Sequence, residues 1–228
     1  MKRTLIIATP HSRYDELENH IRRYLKNYDI IRIHNRDELT IENLEKIQPE
    51  MIFFPHWSWT IPEDIFTQFE CIVFHMTDLP YGRGGSPLQN LIIRGHTETQ
   101  LTALRCEKGL DAGPIYLKRL LSLSGTAEQI LRQAALLMEE MIIEIVEKHP
   151  VPVQQEGEPT IFKRRTPADG DLSPLMELDQ IFDYIRMLDA DGYPPAFIET
   201  EHFLYEFREA EYRNSFVDAR VRIKRKYS

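Results

Sequence analysis

The sequence predicts an α/β fold: a mostly parallel open sheet with helices on both faces, followed by a small C-terminal α+β region. Three observations lead there. As far as His75, short apolar runs alternate with amphipathic stretches, the pattern of right-handed βαβ units. A long apolar helix near the middle is then stopped by Pro150, and a break at Gly192-Tyr193-Pro194-Pro195 marks a shorter, mixed region. The 228 residues, 42% of them hydrophobic, can bury a full core without staples.

Leu5-Ile6-Ile7-Ala8 reads as a buried strand, and Tyr14 to Leu25 as a helix with Leu17, Ile21, Tyr24 and Leu25 at helical spacing. Ile30 to Ile33 is a second strand. Thr40 suits the N-cap of a short helix to Ile47, and Glu42 suits its positive end; Asn43 stands where a full capping box wants Glu or Gln. Met51 to Phe54 and Cys71 to His75 are further strands, with a short helix over Pro62 to Phe66 between them. After the Gly82-Arg83-Gly84-Gly85 loop, Ser86-Pro87 provides an N-cap and first-turn pair for a helix through Ile93. Thr99 to Cys106 and Pro114 to Leu121 are strands. Thr126 and Gln129 cap the longest helix, to about Lys148, whose residues are apolar nearly all round, so it should pack on both sides. A helix follows near Leu178 to Leu188, then short strands and a basic tail, Arg220 to Lys226. The expected division is a catalytic domain over 1–163 and a small C-terminal subdomain over 164–228.

Composition narrows the function classes. Lys and Arg number 28 against 36 Asp and Glu, a formal net charge of −8, which argues against a polyanion as the main partner and makes nucleic acid an unexpected one. Two cysteines cannot form a disulfide framework and fit no zinc spacing; the eight histidines include no metal-ligand pair, so no metal is expected. No apolar run approaches the roughly 18 residues of a membrane span, and Met-Lys-Arg-Thr leads into too short an apolar run for a signal peptide. A cytoplasmic protein with no membrane partner is therefore expected. The turn after the first strand, Thr9-Pro10-His11-Ser12, has no glycine to admit a pyrophosphate, and neither a phosphate-loop motif nor a nucleophile elbow is present.

The chemistry concentrates between Cys71 and Leu117. His75 ends an apolar strand, where ligands of open α/β sheets bind. Asp111 lies between glycines in the loop joining two strands. Brought together, they would form a proton-transfer pair, the carboxylate orienting the imidazole and fixing its tautomer. Each also has a plainer reading: a strand-end histidine bonded to backbone, and a turn aspartate satisfying local amides.

His75-Met76-Thr77-Asp78-Leu79-Pro80-Tyr81-Gly82-Arg83-Gly84, then Pro87, and then Gly109-Leu110-Asp111-Ala112-Gly113-Pro114-Ile115 resemble the folate-dependent formyltransferases. In that family Asn-x-His-x-Ser-Leu-Leu-Pro precedes an Arg-Gly loop and, further on, Asp-x-Gly. Phe162 to Gly170, and Ile185-Arg186-Met187-Leu188 with Tyr193 to Phe197, are similar to the later segments of the sugar N-formyltransferases. The resemblance implies a Rossmann-like catalytic domain that moves a formyl group from N10-formyltetrahydrofolate to an amine. It assigns His75 and Asp111 as catalytic and puts Val73, which cannot donate a hydrogen bond, at the family's asparagine. Thr77 and Asn90 are then auxiliary candidates for the missing donor. Folate is expected at His56, Trp57, Ile61, Cys106, Lys108, Gly109, Leu110 and Gly113, and the acceptor at Tyr81, Arg83 and Gly84. Arg83 could equally lock its loop. The acidic chain and short C-terminal region favour a nucleotide-linked amino sugar, a 4-amino-4,6-dideoxyhexose of surface or flagellar glycans, over methionyl-tRNA; a non-catalytic folate- or nucleotide-sugar-binding relative is the alternative of another class. A homodimer is implied by the resemblance alone.

Overall fold

The computed structural model describes residues 2–226. The chain forms two compact units. One comprises the chain up to Arg83, Gln100–Leu121 and Arg132–Ile161; the other comprises Gly84–Thr99, Ser122–Leu131 and the chain from Phe162.

In chain order the elements are β1 (Arg3–Ala8), α1 (Asp15–Tyr24), β2 (Tyr28–Ile33), α2 (Ile41–Ile47), β3 (Met51–Phe54), α3 (Glu63–Phe66), β4 (Cys71–His75) and β5 (Arg83–Gly84). Then come α4 (Pro87–Ile92), β6 (Glu98–Arg105), β7 (Ile115–Ser122), α5 (Ala127–Lys148) and β8 (Ile161–Phe162). Finally α6 (Leu178–Met187), β9 (Ala196–Glu199), β10 (Phe203–Arg213) and β11 (Phe216–Arg225) complete the chain.

The main sheet runs β2-β1-β3-β4-β6-β7. β1 pairs in parallel with β2 and β3, and β3 with β4, whereas β4 and β6 are antiparallel. The strands read as continuous apolar runs because both faces are buried. Ile6, Ile52 and Phe54 join Leu44 of α2 and Ile65 of α3 in one cluster, while Leu5, Ile7 and Phe53 point the other way and are as fully enclosed. The α/β architecture expected from the alternating pattern is the one observed.

Local chemistry sets the helix ends. Thr40 caps α2 by accepting from the Asn43 amide at 3.2 Å. Thr126 and Gln129 form a reciprocal box before α5, each backbone N–H donating to the other's side chain. Ser86 departs from expectation. It sits in the left-handed region (φ 51°), makes no cap bond, and its hydroxyl oxygen accepts from the Arg165 amide at 3.0 Å. Nor is α5 enclosed all round: Arg132, Gln133, Leu136 and Glu140 line an exposed strip.

In the second unit β9, β10 and β11 form an antiparallel sheet in the order β11-β10-β9, and Phe182 of α6 meets Tyr212 edge-on. A short strand, β9, follows Pro195 as expected, but the strands after it form a long hairpin, β10 and β11. The expected basic tail is part of β11, where period-two alternation with Val221 and Ile223 makes it a strand. Arg220 pairs there with Glu209, and Lys224 with Glu206. Among the described residues no helix is long and apolar enough to cross a membrane.

Candidate active site

β4 carries His75 to its C-terminal end, opposite Thr102 of β6. The strand is apolar up to that point, so its backbone is fixed by pairing on both sides, and the ring emerges at a defined place, only 8% exposed. Nε2 lies 2.8 Å from the Gly82 carbonyl oxygen, which can only accept. Nε2 therefore carries a proton, and Nδ1 faces Asp111 Oδ2 at 3.7 Å. That gap exceeds a direct hydrogen bond, so a proton passing between ring and carboxylate needs an intervening group.

Asp111 reaches this position because its loop is forced into an unusual path. Gly109 (φ 112°) and Asp111 (φ 45°) both lie in the left-handed region. Gly113 lies so close to β6 that a Cβ there would sit 1.9 Å from the Arg105 carbonyl oxygen. The Arg105 amide in turn donates to the Pro114 carbonyl at 2.9 Å, closing the loop base.

One residue outside the sequence expectations completes this arrangement. Gln155 Nε2 donates to the carbonyls of Asp111 and Gly113, each at 2.8 Å, while its Oε1 accepts from Arg83 Nε and Nη2 at 3.1 and 2.8 Å. Arg83 thus makes the contacts that the loop-locking reading calls for. Nothing in the sequence singles out Gln155, a polar residue in an irregular segment 44 positions from Asp111.

The donor candidates are engaged elsewhere. The Thr77 hydroxyl donates to the Gly82 carbonyl at 3.3 Å, the acceptor that His75 also uses. Asn90 belongs to the other unit, where Nδ2 faces the carbonyls of Gly85, Ser86 and Lys163 and Oδ1 accepts from Arg94. Its two amide protons already have acceptors, so this conformation leaves none for an oxyanion. Gly84 (φ 108°) lies in that unit as well.

Among the expected folate contacts, Trp57 packs edge-on against Phe54 and Trp59, and its indole N–H is buried with no acceptor. Ile61 is part of the hydrophobic cluster, and Trp57, Val73 and Cys106 pack against that cluster. Leu110 is 58% exposed; Lys108 forms an exposed ion pair with Glu63 at 3.6 Å. Tyr81 is part-buried, and its amide donates to the Asp78 carbonyl at 3.0 Å. The Cys106 thiol is pushed up to about 11, by burial first and then by the charges of Asp111 and Glu107. Cys71 is driven up as well, mainly by burial. Both stay protonated near neutral pH and are poor nucleophiles.

His56 follows β3 at φ 54°, its ring 4.5 Å from that of His11. Burial, together with the charges of His11 and Arg13, pushes its imidazole down to about 3. The folded chain keeps it neutral while the unfolded chain, at the ordinary 6.5, takes up a proton. Stability should therefore fall as pH drops from about 6.5 towards 3, by on the order of 3 kcal/mol at pH 4 from this group. Urea midpoints at pH 7 and pH 4 would measure it, with His56→Asn losing distinctly less than the parent. An equal loss in both would remove His56 as the cause.

Residues 11–145 match the family model described as formyl transferase, and residues 167–224 match that of the methionyl-tRNA formyltransferase C-terminal domain. A solved structure, methionyl-tRNA formyltransferase from Clostridium thermocellum, is 47% identical with a TM-score of 0.96, the alignment covering 98% of this chain and 100% of that one. The curated methionyl-tRNA formyltransferase of Rickettsia typhi is 28% identical over 186 residues, 78% of this chain and 61% of its own length. The chain thus spans less than two thirds of that relative. A likely sugar N-formyltransferase from Mycobacterium tuberculosis shares the fold at 16% identity, with a TM-score of 0.70 over 87% of this chain and 93% of that one. These findings overturn the amino-sugar acceptor expected above. The inference from a short, acidic chain fails because a relative of the same extent, 47% identical, carries the other name.

Proposed function

Since the chain belongs to the formyl transferase family, we propose that it transfers a formyl group from N10-formyltetrahydrofolate to the amino group of methionyl-tRNA. The observation that carries the chemistry is the His75–Asp111 pair at the end of β4. The acceptor follows the name of the 47%-identical relative. In this reading residues 1–163 perform catalysis and 164–228 form a smaller piece that assists it.

The amine nitrogen bonds to the formyl carbon, and the carbonyl oxygen becomes an oxyanion. With a proton on each ring nitrogen, His75 donates to that oxygen from Nδ1, the nitrogen on the Asp111 side, while Gly82 holds Nε2. The proton lost by the amine passes through the His75–Asp111 gap to the folate nitrogen as its bond to the formyl carbon breaks. Neither thiol takes part. Trp57 suits the folate: its buried indole N–H would gain an acceptor from a bound heterocycle, where it has none in the protein alone. Val73 supplies no donor at the family's asparagine position, and loss of one such donor costs about 10²–10³ in rate. The chain should therefore be a slower catalyst than a relative that has the asparagine.

Incubating the protein with N10-formyltetrahydrofolate and charged initiator tRNA should yield formylmethionyl-tRNA. The KM for the tRNA should rise with salt, as expected for phosphate contacts. Absence of product from that acceptor at high enzyme concentration would reject the proposal.

A further inference from the structure

We infer that Gln155 is a positioning residue that holds Asp111 against His75. This rests on the formyl-transfer reading given above for the same site. The contacts form a closed circuit: His75 Nε2 donates to Gly82, the neighbouring Arg83 donates twice to Gln155, Gln155 donates to the carbonyls of Asp111 and Gly113, and Asp111 faces His75 again. Every member belongs to the same compact unit.

The residue type is specified by its surroundings. Arg83 offers only donors, and the two backbone carbonyls offer only acceptors. A primary amide with its oxygen on the arginine and its nitrogen on the carbonyls satisfies all four contacts, and the flipped amide satisfies none. A glutamate of the same length would keep the arginine but turn a carboxylate oxygen towards two carbonyls. A lysine would keep the carbonyls and repel the arginine.

The backbone that delivers Gln155 is anchored on both sides. Val153 exchanges both hydrogen bonds with Ile115 at the start of β7, at 2.7 and 2.9 Å. Further on, Thr160 accepts from the Arg83 amide at 2.9 Å and donates to the Pro80 carbonyl at 3.3 Å. Gln155 is thus held between the two loops that carry the partners of His75. Asp111 itself is in the left-handed region (φ 45°), a backbone state an aspartate adopts at some cost, so an external hold on its carbonyl has work to do. Displacing a catalytic group by about 1 Å is enough to cost 10²-fold in rate.

Gln155→Glu is the sharp variant because it keeps side-chain length and the Arg83 contact. Its kcat for formyl transfer should fall by about 10- to 100-fold, with KM for N10-formyltetrahydrofolate within about twofold of the parent, since the loss concerns the reacting groups. Gln155→Ala should fall at least as far. Backbone amide order parameters at residues 110–113 should be about 0.85 in the parent and drop below about 0.6 in both variants. A normal kcat in a folded Gln155→Glu protein, or unchanged order at 110–113, overturns the inference. A variant that merely melts earlier while keeping its kcat at 25 °C does so too. Should the parent itself fail to transfer formyl groups, the functional reading falls, and the order parameters alone then decide whether Gln155 holds the Asp111 loop.

Discussion

Replacing His75 by alanine should lower kcat for the proposed formyl transfer by at least about 10²-fold and leave the affinity for N10-formyltetrahydrofolate within about twofold. The reason is where the ring stands. It is fixed by the paired strand beneath it and by the Gly82 carbonyl at 2.8 Å, so Nδ1 points to one place, across a 3.7 Å gap from Asp111. A donor held in that way strengthens its bond as charge builds on the formyl oxygen and contributes little to ground-state binding. With Val73 providing nothing at the family's asparagine, His75 also has less support than it would in a relative with both groups. Single-turnover rates with saturating folate separate chemistry from binding. Near-normal turnover in His75→Ala would mean that the proton-transfer pair is misassigned.

Gly113→Ala should remove about 10²-fold of activity and on the order of 1–3 kcal/mol of stability together. A Cβ at that position meets the Arg105 carbonyl oxygen at 1.9 Å, and that oxygen is backbone in a central strand. Arg105 cannot retreat: it is in register with Ile72 of β4, and its amide donates to the Pro114 carbonyl. The loop must move instead, and the Gln155 bonds to the carbonyls of Asp111 and Gly113 move with it. The melting temperature and kcat of the purified variant measure the two effects. A variant with the parent's melting temperature and rate would show that the glycine is not required by this close approach.

Much of this architecture is legible one element at a time. Apolar runs at Leu5 to Ala8, Met51 to Phe54 and Cys71 to His75 specify buried strands because a sheet covered on both faces leaves no polar alternation. Thr40 and the Thr126–Gln129 box set helix starts through bonds that span three residues. Ser86 fails the same logic because its φ of 51° aims the hydroxyl away from the helix, towards Arg165. The acceptor is illegible in the sequence for a different reason. Net charge is a sum over the surface, whereas a binding face reads only the charges that line it, so −8 could not exclude an RNA.

By itself the sequence determined the α/β fold class, the family, and His75 and Asp111 as the polar residues worth testing, because these depend on periodicity and on short motifs around glycines. Only the tertiary structure decided that the His75 ring and the Asp111 carboxylate face each other across 3.7 Å, that Arg83 bonds Gln155, that Asn90 bonds three carbonyls, and that Gln155 reaches Asp111 from 44 positions away. Those facts follow from strand register and from the path of loops between strands. A hydrogen bond over that separation leaves no local pattern in the chain, since its partners are chosen by the geometry that the whole core imposes.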